Sequence, residues 1–328
     1  MNTPLVSIVI PVYNEQEGLD LLYQRLYPAL DALGRSYEII FVDDGSSDRS
    51  VAMLREQFAR RADVTRVIVF SGNFGQHNAI LAGFAHVRGQ QVVTLDADLQ
   101  NPPEEIGKLL AELDRGHDYV GSIRQMRQDS FLRRWPSRIL NLIRERTTDI
   151  SITDQGCMLR AYARHIVDAI NHCPEVNTYI PALAYQFARS PTEISVKHEE
   201  RAAGTSKYSM YRLLRLNFDL MTGFSIVPLQ IFSLLGGVIA CGSLALFAIL
   251  MVERILYGAD ADGLFTLFSI VFFILGVLLL GVGLLGEYIG RIYAQVRGRP
   301  RYLVQAIMEQ GVERVISTDR RRTDPPTQ

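Results

Sequence analysis

The sequence predicts an α/β domain built on an open parallel sheet, followed by a hairpin of two apolar helices long enough to cross a bilayer. Three observations predict this. Short β-branched runs alternate with amphipathic stretches over residues 5–122, polar motifs follow the first, second and fourth of those runs, and residues 220–252 and 263–286 contain no charged side chain.

The runs 6–12, 37–42, 66–70, 91–95 and 119–122 have the composition of strands. Between them, residues 17–33, 47–60, 76–87 and 103–115 carry helical periodicity, with Gly34, Gly89 and Gly116 placed as C-terminal stops. Strands alternating with helices pair in parallel, and a ligand then lies beyond their carboxyl ends. Tyr13-Asn14-Glu15, Asp43-Asp44-Gly45-Ser46 and Asp96-Ala97-Asp98 all fall there. One such motif alone reads as a turn, because Asp and Gly favour turns. Three at one edge point to a nucleotide-type site. No Gly-x-Gly-x-x-Gly follows the first run and no Gly-Lys-Ser or Gly-Lys-Thr is present, which argues against a dinucleotide dehydrogenase and a P-loop nucleotide triphosphatase.

The C-terminal half is of a different kind. The chain of 328 residues is 48% hydrophobic with a formal net charge of -1, so bulk charge points to no nucleic-acid partner. About 20 helical residues cross a hydrocarbon core about 30 Å thick, and both uncharged runs exceed that. The expected organisation is a cytoplasmic catalytic domain over 1–206 and an interfacial amphipathic helix over 207–225. A first membrane helix over 226–252, a periplasmic connector over 253–262 and a second membrane helix over 263–288 follow. A cytoplasmic segment over 289–328 ends the chain in a mobile polar tail. Arg212 and Arg215 precede the hairpin and Arg291, Arg297, Arg299 and Arg301 follow it, so the positive-inside bias puts both flanks in the cytoplasm of a multi-pass inner-membrane protein. Leu213, Leu214, Leu216 and Phe218 give the preceding stretch its apolar side. Gly236, Gly237 and the glycines of 276–286 offer helix contacts through which copies of the chain could associate. The opening apolar run is interrupted by Pro11, and reads as a strand rather than a signal peptide. Cys157, Cys173 and Cys241 lack metal-ligand spacing and read as free thiols.

Asp96 and Asp98 flank one small residue at a strand end, a spacing that can aim two hard oxygen ligands at a divalent cation such as Mg²⁺ or Mn²⁺, which would also hold a diphosphate. Capping of the helix that opens at Pro103 is the other reading of these acids. A basic group, Arg124, Arg127, Arg133, Arg134 and Arg138, with Arg201 and Lys207 later, suits phosphate oxygens or an anionic membrane surface. His77 has no His or Cys at metal spacing and reads as a local cap or hydrogen-bonding residue.

Val9-Ile10-Pro11-Val12-Tyr13-Asn14-Glu15, Val42-Asp43-Asp44-Gly45-Ser46-Ser47-Asp48 and Leu95-Asp96-Ala97-Asp98-Leu99-Gln100-Asn101-Pro102-Pro103 resemble the motifs of family 2 inverting glycosyltransferases with the GT-A, Rossmann-like fold. Among these the chain is most similar to the polyprenyl-phosphate sugar transferases, over nearly its whole length. The resemblance implies that Pro11, Tyr13, Glu15 and Asp44 line a nucleobase and ribose pocket. It implies that Asp96, Asp98 and Gln100 handle metal and diphosphate, that Arg124, Arg133, Ser137 and Arg201 touch phosphate, and that the Gly204-Thr205-Ser206-Lys207 segment is a mobile acceptor-side loop. Asp154, in Asp154-Gln155-Gly156-Cys157-Met158-Leu159-Arg160, resembles the third acidic motif and is a catalytic candidate, as base or as orienting group. A phosphate acceptor is already largely ionised near neutral pH, which favours the second role.

Gly75-Gln76-His77, the 124–130 segment, Gly156-Cys157-Met158-Leu159-Arg160-Ala161-Tyr162 and the 284–293 segment resemble the undecaprenyl-phosphate 4-deoxy-4-formamido-L-arabinose transferases. That resemblance implies a UDP-sugar donor, an undecaprenyl phosphate acceptor in a lipid membrane, and a place in lipid A modification and polymyxin resistance. The alternatives are an undecaprenyl-phosphate glucosyltransferase using UDP-glucose and an inactive nucleotide-sugar-binding scaffold. A processive polysaccharide synthase is disfavoured, since Phe131 stands where a Gln-x-x-Arg-Trp signature needs Gln before Arg134-Trp135.

Overall fold

The computed structural model describes residues 3–124, 152–154, 156–173, 179–199, 227–257 and 264–316. By contacts the chain divides into two units, one comprising Met1–Phe131, Ile150–Lys207 and Arg299–Gln328, the other Leu132–Asp149 and Tyr208–Gly298.

The first unit is a mixed α/β layer structure. Its strands are β1 (Val6–Val12), β2 (Tyr37–Asp43), β3 (Thr65–Phe70), β4 (Gln91–Thr94), β5 (Tyr119–Arg124), β6 (Arg160–Ala163), β7 (Pro191–Val196), β8 (Val304–Glu309) and β9 (Val312–Val315). They form one sheet in the order β7-β5-β6-β4-β1-β2-β3-β8-β9. The pairs β4-β1, β1-β2 and β2-β3 are parallel, as the alternation of strands and helices predicts, whereas β6 and β8 run antiparallel to their neighbours. β1 is buried along both faces except at Pro11, which accounts for its unbroken apolar run.

Helices α1 (Leu19–Asp31), α2 (Ser50–Arg60), α3 (Gln76–Phe84), α4 (Ile106–Asp114), α5 (Arg164–His172) and α6 (Ile180–Phe187) accompany the sheet, and a 3₁₀ turn at Pro103–Glu105 leads into α4. α1 buries Leu19, Leu22, Tyr23, Leu26, Tyr27 and Leu30, the three- and four-residue spacing of one helix face. Gly34 (φ 64°) and Gly116 (φ 98°) follow α1 and α4 in the left-handed region, as helix stops do. Gly89 has another role. α3 ends at Phe84, and Gly89 instead donates its N–H to Ser7 Oγ at 2.8 Å, in a place where a Cβ would collide with Ser7.

The C-terminal residues of this unit add to the sheet. β8 pairs with β3 and turns back into β9 through Gln310 (φ 54°) and Gly311 (φ 74°), two left-handed residues whose twist suits a two-residue hairpin. A buried ionic cluster sets this pairing. Arg66 meets Glu38 at 3.3 Å and Glu309 of β8 at 2.8 Å, while Glu38 also accepts from Ser7 and the Arg88 N–H.

The second unit contains α7 (Val227–Tyr257) and α8 (Leu264–Val296). Both run past the predicted spans: α7 continues through residues 253–257, and α8 continues to Val296 through an ion pair of Glu287 and Arg291 at 2.9 Å. The helices touch in antiparallel fashion, the Phe232 ring filling the space beside Gly281 and Tyr288 meeting the backbone of Leu229. Ile270–Val296 is long and apolar enough to cross a membrane, and Leu229–Ile239 is a shorter apolar stretch, among the described residues. Leu234, Phe272 and Leu280 are more than half exposed, as lipid-facing side chains would be.

Candidate active site

Three strands deliver acids to one edge. β1, β2 and β4 end at Val12, Asp43 and Thr94, and β4 pairs β1 only as far as Val9 with Thr94. The Val9 carbonyl accepts from Leu95 toward β4 and the Val12 carbonyl accepts from Asp44 toward β2, so Pro11 faces the side where β4 has stopped. Its missing N–H therefore costs no ladder bond, and the edge between β1 and β4 opens.

The loops after β1 and β2 are laced together. Asn14, in the left-handed region at φ 53°, receives the Ser47 N–H on its side-chain oxygen at 2.8 Å and donates its own N–H to Ser46 Oγ at 2.9 Å. The Glu15 N–H donates to Ser50 Oγ at 2.9 Å. Tyr13 is left 48% exposed, an open ring face at the edge.

After β4 the chain makes a strained turn. Leu99 holds φ 61° although it is 3% exposed, a conformation that costs a non-glycine residue about 1 kcal/mol or more and persists where surrounding contacts enforce it. The Gln100 N–H donates to Asp98 Oδ1 at 3.2 Å, and the Gln100 carbonyl accepts from Glu199. Half-buried Asp96 is pushed up to about 7 by burial and by the charges of Asp98 and Glu15, against the opposing pull of Arg124 and a 2.6 Å hydrogen bond from Gln76 Nε2. Asp98, Glu15 and Arg124 thus all lie near enough to Asp96 to act on its charge.

Asp154 belongs to the same group through Arg124. Arg124 Nε and Nη2 grip Asp154 Oδ2 and Oδ1 at 2.7 and 2.8 Å, and the Gly156 N–H donates to Oδ1 at 3.1 Å. Asp154 is 3% exposed and its carboxylate accepts a bidentate fork from Arg124, an arrangement that suits an orienting group. Fully buried Arg160 holds the loop from below, donating from Nη2 to the Asp154 carbonyl at 2.7 Å, from Nε to the Cys157 carbonyl at 2.8 Å, and from Nη1 to the Tyr119 hydroxyl.

Asp44 is nearly closed off. Its two oxygens accept the Phe74 and Gly75 N–H groups at 2.7 and 2.8 Å, and burial raises its pKa against those two bonds. Phe74, Gly75 and Gln76 therefore bridge Asp44 to Asp96, a link that sequence reading misses. The available signal is that Gly75-Gln76 follows the third strand at the same carboxyl edge. Arg133, Ser137, Arg201 and Lys207 lie outside the described residues, as do Arg127, Arg134, Arg138 and the 207–225 segment.

The donor set at Asp96 and Asp98 fits a hard divalent cation. A carboxyl such as that of Asp96, pushed up by burial and neighbouring acids, is what such an ion relieves. No group of three or more His, Cys, Asp and Glu with ligating geometry occurs among the described residues, so protein ligands would share the ion with substrate phosphates.

His77, one residue beyond Gln76, has a buried Nδ1 without a hydrogen-bond partner and lies edge-on to Tyr179 with ring centroids 5.3 Å apart. Burial, helped by Arg160, lowers its pKa to about 4. The folded state holds the neutral ring while the unfolded chain titrates near 6.5, so this stability is complete above pH 6.5 and is lost as pH falls toward 4. Thermal melts are expected to show a loss of up to about 3 kcal/mol over that window, and His77→Gln is expected to flatten it.

The family model described as glycosyl transferase family 2 matches residues 7–170, half of the chain, covering β1 through most of α5 together with Glu15, Asp44, Asp96, Asp98 and Asp154. The chain belongs to glycosyl transferase family 2. It is a glycosyltransferase that takes a nucleotide-sugar donor, and its sheet domain has the GT-A, Rossmann-like arrangement of that family. Among solved structures it is similar to a mycobacterial protein, at 18% identity over 67% of this chain and 73% of that chain, with TM-score 0.50. Glucosyl-3-phosphoglycerate synthase from Mycobacterium tuberculosis, in complex with phosphoglyceric acid, is 16% identical over 67% of this chain and 78% of that chain, with TM-score 0.48. The mannosyltransferase PcManGT from Pyrobaculum calidifontis, in complex with GDP-Man and Mn2+, is 17% identical over 92% of this chain and 89% of that chain, with TM-score 0.44. GT-A enzymes commonly use a divalent metal, in keeping with the carboxylate cluster of this glycosyltransferase.

Proposed function

We propose that this glycosyltransferase transfers 4-deoxy-4-formamido-L-arabinose from UDP to undecaprenyl phosphate at the bacterial inner membrane, with inversion. The observation that carries the lipid acceptor is the return of the chain to its own sheet. β8, which follows the apolar helix α8, pairs with β3 of the catalytic domain, so the chain leaves and re-enters on one side of any membrane that it crosses. A crossing by α8 then requires a second crossing, and α7 is the long apolar helix that precedes it. Arg297, Arg299 and Arg301 at the exit of α8 favour the cytoplasmic side for the catalytic domain. The formamido-arabinose donor rests on Gly75-Gln76-His77 and the 156–162 and 284–293 segments.

In the proposed reaction an oxygen of the acceptor phosphate attacks the anomeric carbon, the bond from that carbon to the diphosphate oxygen breaks, and UDP leaves. Tyr13, Glu15 and Asp44 take the nucleoside, while Asp96, Asp98 and Gln100 lie at the diphosphate. What Mg²⁺ or Mn²⁺ supplies there when bound is Lewis-acid neutralisation of the leaving group. Arg124, held by Asp154, keeps a positive charge beside Asp96, where the leaving diphosphate gains negative charge. Arg133, Ser137, Arg201 and Lys207 are assigned to the acceptor phosphate by resemblance.

Purified protein in detergent, with Mg²⁺ or Mn²⁺, undecaprenyl phosphate and separate UDP-formamidoarabinose, UDP-aminoarabinose and UDP-glucose, tests this by mass analysis of the lipid products. Transfer of the formamido pentose alone is expected. Glucose transfer would assign the chain to UDP-glucose, and donor binding without any transfer would make it a scaffold.

A further inference from the structure

The loop after β3 is wedged between two parts of the chain that are distant in sequence. On one side, the Phe74 and Gly75 N–H groups hold both oxygens of Asp44, and Gly45 (φ 71°) lies so close to the backbone of Gly72 that any Cβ there would overlap it. On the other side, the Ser71 N–H donates to the Leu303 carbonyl at 3.0 Å. The Tyr302 ring stacks on Phe70 with centroids 4.9 Å apart and planes 11° apart, and Phe70 in turn meets Phe74 edge-on with centroids 5.7 Å apart. Phe70 is 1% exposed, and the half-buried rings of Tyr302 and Phe74 pack against it.

A carboxylate whose two oxygens already accept N–H bonds has lost its rotational freedom, and its remaining lone pairs point one way only. Holding the two donors therefore holds the direction in which Asp44 can accept from a ligand. We infer that Tyr302 is a positioning residue for the donor nucleotide: through Phe70 and Phe74 it fixes loop 71–75, and through that loop the Asp44 carboxylate. The inference rests on the reading of Asp44 as a nucleoside contact. It gives the segment just after α8 an indirect part in donor binding, exerted through that loop. Preorganisation of this kind acts on affinity, since a loosened loop must be ordered again at each binding event.

The test uses the full-length protein in detergent, with UDP and Mn²⁺ as the probe, calorimetry for affinity and hydrogen–deuterium exchange for loop 71–75. Tyr302→Ala is expected to weaken UDP binding about tenfold and to speed exchange at Phe74 and Gly75, with kcat at saturating donor within about twofold of the unaltered chain. Tyr302→Phe keeps the ring and is expected to restore both readouts, which a general loss of stability would not explain. Unchanged exchange in Tyr302→Ala overturns the inference, and so does faster exchange with unchanged UDP affinity. In the latter case Asp44→Asn separates the two claims. If it weakens UDP binding, the nucleoside role of Asp44 stands and only the role of Tyr302 fails; if it leaves UDP binding unchanged, both fail. An unaltered chain that binds no UDP likewise overturns both.

Discussion

Asp98→Asn is expected to lower kcat by about 10²–10³-fold while leaving the fold intact. The Asn side-chain oxygen can still accept the Gln100 N–H that closes the turn at Leu99, so the substitution removes charge and little else. In the proposed reaction, what is lost is a hard ligand at the point where the diphosphate departs. Transfer rates at saturating donor, paired with thermal midpoints, check this; a variant that keeps more than about a tenth of the activity would remove Asp98 from the site. Asp96 makes the complementary case. Its carboxyl is raised to about 7 in the metal-free fold, so the folded state disfavours the charge that the unfolded chain carries freely. The contribution of Asp96 to stability is full below its unfolded value near 3.9 and is lost as pH rises through 7. Asp96→Asn is therefore expected to raise the melting temperature of the metal-free protein at pH 8 while abolishing transfer. Stability bought at the cost of activity is the signature of a site that waits for a cation.

Arg124→Ala and Asp154→Ala are each expected to reduce kcat by about 10²-fold or more, and the double variant is expected to be scarcely worse than either single one. The fork from Arg124 to Asp154 makes the two side chains one unit, so removing either dissolves it. A general base would behave otherwise. Asp154→Ala would then abolish the limb of the pH–rate profile that reports its titration, and Arg124→Ala would leave that limb in place. Additive losses in the double variant, together with such a limb, would return Asp154 to the role of base.

Much of this architecture is legible in the chain. β1 was expected at 6–12 and is found at Val6–Val12, because a strand buried on both faces leaves an unbroken apolar run. Gly34 and Gly116 are legible as stops because a positive φ leaves few alternatives to glycine. Gly89 misleads for a physical reason: a glycine between a helix and a strand can also mark close packing, and Ser7, which it meets, lies far away in sequence. β8 escapes sequence reading because its partner, β3, precedes it by more than the whole apolar hairpin, and β9 joins the sheet only through β8. The acids were legible as motifs at one sheet edge, but their alliances were not. That Gln76 reaches Asp96 and Arg124 encloses Asp154 depends on which strands lie side by side, and the antiparallel insertion of β6 between β4 and β5 decides that.

The sequence by itself determined the alternating α/β order, the two uncharged helices and the acidic motifs at strand ends, all of them local patterns of side-chain period and charge. The tertiary structure alone decided that Asp154 is spent on Arg124, that Asp44 is held by the loop after β3, and that the chain beyond α8 returns to wall that loop. Period and composition act over a few residues, whereas these contacts form only once the sheet has brought distant segments within hydrogen-bonding reach.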